Sequence, residues 1–83
     1  MTQEPHGHKP GPQIFINGTP LKAPNEQMTG LELKALGGLQ AGNKLFKEEP
    51  GSHPDTPVAD DALVDLKNGD RFYDLPPGVV GKR

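Results

Sequence analysis

Cysteine is missing from all 83 residues. The chain therefore forms no disulfide, offers no thiolate to a metal and carries no thioester of its own. Tryptophan is missing too, and the aromatics amount to three phenylalanines and one tyrosine. A core built under that limit is small and aliphatic, made of Ile, Leu and Val. No apolar run approaches the ~18 residues that a membrane span needs, and Met1–Gln13 lacks the apolar centre of a secretory signal. A cytoplasmic protein without a membrane partner is the expectation. No basic patch stands out either, since the net charge is −2 with both signs interspersed. Nucleic acid is therefore not an expected partner.

What the chain has in excess is proline and glycine, ten and eleven residues, well above the roughly 12% of average usage. They gather at Pro5–Pro12, Pro50–Pro57 and Pro76–Gly81, so arms and loops carry them. Met1–Pro12 is a polar arm too poor in apolar surface to offset its own ordering entropy. One domain is the most that this length holds. A domain of ~60 residues buries only about 60% of its unfolded surface, so its stability is marginal.

Gln13-Ile14-Phe15-Ile16-Asn17 alternates apolar residues as a strand does, with Ile14 and Ile16 on one face. Asn17-Gly18 is a hairpin turn signal, and Thr19–Pro24 is the return strand. Pro20 and Pro24 donate nothing to a ladder, so this strand is short or at an edge. Thr29–Leu36 is the clearest helix. Thr29 and Glu32 have the spacing of a capping box, and Met28 and Leu33 that of a hydrophobic staple. Leu31, Ala35 and Leu36 fall on one helical stripe, and Gly37-Gly38 supplies a left-handed stop. Lys44–Glu48 holds a short strand at Leu45-Phe46, and Glu49–Thr56 is a loop. Val58–Leu66 is expected as a one-turn helix plus connector, with Asp60 and Asp61 as the acids that a helix start favours. Asn68-Gly69 marks a turn into a last strand, Arg71–Leu75. The order of elements is that of a β-grasp domain: an α+β fold with a mixed sheet of four to five strands and one helix across it.

Several residues carry the likeness to a known family: Ile14-Phe15-Ile16-Asn17-Gly18, Thr29-Gly30 with Leu36, and Lys44-Leu45-Phe46. Above all there is Pro57-Val58-Ala59-Asp60-Asp61 followed by Leu66-Lys67-Asn68-Gly69-Asp70-Arg71-Phe72-Tyr73. Over residues 13–77 the chain resembles the bacterial multiubiquitin-type ubiquitin-like domains. The resemblance implies a ubiquitin-like fold and, as partners, an activating enzyme, a conjugating enzyme and a JAB-type metallopeptidase. The chain then divides into an arm at 1–12, a domain at 13–77 and a tail at 78–83.

The tail bears the candidate conjugation and processing residues, Gly78, Gly81, Lys82 and Arg83. A terminal carboxylate that threads a narrow enzyme channel is helped by a residue without Cβ. Gly81 is the first choice and Gly78 the second. Lys82 and Arg83 lie beyond that glycine, where ubiquitin itself ends in Gly-Gly, so trimming is expected. A second reading is a structural subunit that self-assembles into filaments or oligomers through its arm. Pro10 and Pro12 would dock the arm, extended, on a sheet edge of a neighbouring copy. One of Phe72 and Tyr73 must face away from the core, so Tyr73, together with Phe15, is a candidate contact. His6-Gly7-His8 lacks a third ligand nearby, Asp60, Asp61 and Asp65 match no calcium loop, and Ser52-His53 lacks an orienting acid. No cofactor, metal or enzymatic activity is expected.

Overall fold

A computed structural model describes residues 11–78. Strand β1 (Gln13–Ile16) turns at Asn17-Gly18 into β2 (Thr19–Lys22). Both turn residues have positive φ, 52° and 80°, the pairing that a two-residue hairpin of matching twist requires. Strand β3 (Gln27–Thr29) leads straight into helix α1 (Gly30–Gly37), followed by β4 (Lys44–Lys47), β5 (Thr56–Val58), β6 (Leu63–Asp65) and β7 (Arg71–Leu75). Five strands form one mixed sheet in the order β2-β1-β7-β4-β5, while β3 and β6 form a separate ribbon. β1 and β7 run parallel at the centre; the other pairings are antiparallel.

The helix starts and stops as its caps dictate. The Glu32 N–H donates to Thr29 Oγ1 at 3.1 Å, and the Thr29 N–H donates to Glu32 Oε1 at 2.9 Å. Gly38, at φ 69°, ends the helix. Its N–H and that of Leu39 return to the carbonyls of Ala35 and Lys34, which satisfies the last turn. Between α1 and the sheet sit Ile14, Ile16, Leu33, Leu45 and Phe72, with Met28 joining from β3. Met28 and Leu33 are both buried, as the staple spacing requires.

The buried face of α1 differs from the expected stripe. Gly30, Leu33 and Lys34 are buried, whereas Leu31 and Ala35 are exposed. Gly30 and Gly37 explain the rotation, since each lets other groups approach closely. A Cβ on Gly37 would stand 2.8 Å from Ile16 Cγ2, and one on Gly30 would collide with the Ala59 carbonyl. The two glycines thus mark the packed face.

Val58–Leu66 is not a one-turn helix. Val58 closes β5, a turn at Asp60-Asp61 follows, and Leu63–Asp65 is β6, paired with β3 through Met28↔Val64. Pairing with β3 gives the Leu63–Asp65 backbone a ladder partner that lies far away in sequence. Asp60 and Asp61 therefore start no helix of their own. The Asp60 carbonyl instead accepts the Leu31 N–H at 3.0 Å, and the Ala62 carbonyl accepts the Gly30 N–H at 3.1 Å. This connection stands over the start of α1.

Candidate functional site

The sheet has two faces, and register assigns the side chains to them. Ile14, Ile16, Leu45, Val58 and Phe72 turn inward. Across the other face Phe15 stands between Pro20 and Arg71, and Phe46 between Tyr73 and Pro57. The Arg71 guanidinium lies 4.4 Å from the Phe15 ring centre, within cation–π range. Phe46 and Tyr73 stack at 5.4 Å with their planes 14° apart. The Tyr73 hydroxyl donates to Asp55 Oδ2 at 2.7 Å. That bond, aided by burial and by the charges of Asp55 and Glu48, pushes the phenol up to about 12. The same bond, with the Glu49 N–H, holds the Asp55 carboxyl below its ordinary value. Asp55 and Glu49, which accepts from the Thr56 hydroxyl at 2.6 Å, tie the loop after β4 to this face.

The face ends where the chain leaves the sheet. Leu75 pairs with Lys44, and Asp74 accepts amide N–H groups from Asn43 at 2.6 Å and Asn17 at 2.8 Å. Those two bonds, that from Asn43 the stronger, keep the Asp74 carboxyl low despite its partial burial. They clamp the end of β7 to the β1–β2 turn and to the approach to β4. Beyond the clamp Pro76, Pro77 and Gly78 are exposed, and Gly78 has φ 85°. Beside β4 and β5 runs an apolar groove of about 700 Å³, walled by Ala41, Phe46, Pro57, Val58 and Ala59.

The structure thus sets Phe15 and Tyr73 on one face, both half-buried, and leaves Phe72 in the core. Pro12 is not on that face. Its carbonyl accepts the Ala23 N–H at 3.0 Å, and the Gly11 N–H donates back to Ala23 at 2.9 Å. The root of the arm is bound to its own domain. Gly78 ends the described residues, and Pro10, Gly81, Lys82 and Arg83 lie outside them. Ser52 and His53 sit in the exposed loop before β5. Among the described residues there is no group of three or more His, Cys, Asp or Glu able to hold a metal ion, nor a helix long and apolar enough to cross a membrane.

Sequence reasoning missed Lys34. Its ammonium is buried and donates to Asp60 Oδ1 at 2.7 Å and to the Ala41 carbonyl at 2.9 Å. The spacing of Gly30, Leu33, Lys34 and Gly37, one helical face, was the available signal.

A mixed five-stranded sheet with a parallel central pair and one helix across it defines a ubiquitin-like β-grasp domain. The chain belongs to the Multiubiquitin family, whose model matches residues 13–73. No curated protein and no solved structure matches it.

Proposed function

We propose that this chain is a ubiquitin-like protein modifier of a bacterial ubiquitination-like pathway, joined to its targets through Gly81 once Lys82 and Arg83 have been removed. The observation that carries this reading is the exit of β7. The Asp74 clamp fixes where the sheet ends, and Pro76-Pro77-Gly78 leave it exposed. Two prolines limit the conformations of the chain at that point, and the exposed Gly78 that follows them leaves the way out of the sheet open. Membership of a ubiquitin-like family supports the same reading.

The roles divide simply. The chain has no cysteine, so it supplies the acyl group and its partners supply the thiolates. An activating enzyme adenylates the Gly81 carboxylate with loss of pyrophosphate. A partner thiolate displaces AMP to form a thioester, and the conjugating enzyme passes the acyl group from its thioester to a nucleophile on the target, which frees the thiol. A JAB-type peptidase frees the glycine by removing Lys82 and Arg83. The outer face of the sheet, with Phe15, Arg71, Phe46 and Tyr73, gives these partners a part-apolar surface to recognise.

The test is intact-mass analysis of the purified chain incubated with ATP and an activating enzyme, a conjugating enzyme and a JAB-type peptidase of such a pathway. Loss of Lys82-Arg83 followed by an adduct is the expected result, and Gly81→Glu abolishes the adduct. Release at Gly78 instead would move the joining residue there. Retention of Lys82-Arg83 with no adduct would refute the reading.

A further inference from the structure

The groove beside β4 and β5 lies at the same end of the sheet as the exit of β7. Asp74, Leu45 and Val58 form one row across β7, β4 and β5. The strand directions carry Leu75, Lys44 and Ala59 past that row on one side, and Leu75 pairs with Lys44 there. The groove, of about 700 Å³, is lined from that side by the Ala41–Asn43 connection and by Ala59, and farther in by Phe46, Pro57 and Val58. Ala41, Pro57 and Ala59 are exposed. These apolar walls are open to a segment that arrives from the end of β7.

The chain is turned at just that place. Pro77 and Gly78 form a turn, and Gly78 has φ 85°. Proline followed by a glycine near +80° is the pattern of a type II turn, which reverses the chain. A chain so turned heads back towards the sheet end and does not continue the line of β7. On one side of β7 that end is the polar Asn17-Gly18 turn, with the Asn17 amide already held by Asp74. On the other side is the groove. Positions 79 and 80 are both valine. Crossing from β7 to β5 spans two strand spacings, ~10 Å. A turn keeps its fourth residue within ~7 Å of its first, and each further residue adds ~3.8 Å. That reach brings residues 79 and 80 over β4 to the groove.

We propose that the groove beside β4 and β5 is the docking site of the chain's own Val79–Val80 segment. The two valines cover Ala41, Val58 and Ala59. The gain from burying them and the entropy lost on ordering so short a segment are of similar size, so docked and free states exchange. The contact is apolar and withstands added salt. It makes no use of Lys82 or Arg83 and survives their removal. Any protein that grips residues 79–83 has first to draw the valines out of the groove. The contact is read without a partner enzyme, so its outcome and that of the modifier assay are separate.

Nuclear magnetic resonance of the full chain, labelled at alanine and valine methyls, tests it. The signals of Ala41, Val58 and Ala59 are expected to differ between the full chain and a chain ending at Gly78. Nuclear Overhauser contacts should join Val79 and Val80 to Ala41 and Ala59. A chain ending at Gly81 keeps both features, and neither dilution nor salt removes them. The pair Val79→Ser and Val80→Ser moves the three signals to their positions in the chain ending at Gly78. Ala41→Glu, at an exposed position, moves those of Val58 and Ala59 likewise. Groove signals that are the same with and without residues 79–83, or that ignore the serine pair, would overturn the proposal. So would differences that fade on dilution, which would put the valines of a second copy in the groove. Circular dichroism of every variant establishes that the fold is kept.

Discussion

Thr29 satisfies two backbone groups at once, by accepting from Glu32 and by presenting its own N–H to the Glu32 carboxylate. Removing such a cap costs about 1 kcal/mol within a range of roughly 0.5–2. In so small a domain that lowers the melting point by about 4–8 °C, so Thr29→Ala should melt correspondingly earlier by circular dichroism. Tyr73 supplies a second single-residue test. Its phenol titrates near 12 in the fold against 10.0 in the unfolded chain. The fold therefore favours the neutral form. The stability so gained is full below pH 10 and is lost as pH rises through the folded value. Tyr73→Phe removes this dependence. Between pH 10 and 12 the melting point of the unaltered chain should fall faster than that of the variant. Parallel slopes would mean that the Asp55 bond contributes nothing. Gly11 is a third such position. A Cβ there would run into the backbone carbonyl of Asn25 and the Ala23 side chain, so Gly11→Ala should detach the root of the arm or destabilise the domain.

At the scale of elements, what was legible in the sequence was what neighbouring residues decide. Asn17-Gly18, Thr29 with Glu32, and Gly38 act over a few positions, and each turn or cap formed where it was expected. Strand β6 was illegible because its partner is β3, some thirty-five residues earlier. Three residues carry no period of their own. The packed face of α1 was misread because two glycines and a lysine mark it, and none of these counts as apolar. The site was legible in part for the same reason. Alternation placed Tyr73 opposite Phe72, but that Phe46, Arg71, Pro57 and Asp55 join it depends on register between distant strands. The Lys34–Asp60 pair then joins α1 to the segment between β5 and β6. The Lys34 side chain is 5% exposed and that of Asp60 55%. Breaking a fully buried pair costs about 3–5 kcal/mol, and the access of water to Asp60 lowers that. Asp60→Ala should therefore cost about 1–3 kcal/mol, since it strands a buried ammonium. Lys34→Met, which removes the charge with its methylene stem largely kept, should cost less. Denaturant unfolding of both variants and of their combination measures the coupling.

At the scale of the whole molecule, the five-stranded sheet of the described residues ends at β2 and β5, and each of these edge strands carries one exposed proline. Their positions in the ladder are specific. The Phe15 N–H donates across to Asp70, towards β7. Phe15 and its partner Pro20 are therefore a pair that exchanges no hydrogen bond, and the Pro20 nitrogen faces solvent. The same holds at the other edge. The Glu48 N–H donates to Arg71, so by alternation Phe46 also points its N–H at β7. Pro57, opposite Phe46, then turns its nitrogen outward. Each proline removes an outward donor without costing the sheet an internal bond. An edge with free donors is a template for another strand, and proline there blocks it. Strand addition to this sheet is thereby disfavoured at both of its edges. Pro20→Val and Pro57→Val restore the two outward donors and add β-branched side chains. The double variant should keep its far-ultraviolet spectrum and its melting transition. It should also scatter light and bind a cross-β dye at concentrations where the unaltered chain stays clear. A clear solution of the folded double variant, at every concentration reached, would show that these edges are guarded by something other than the prolines.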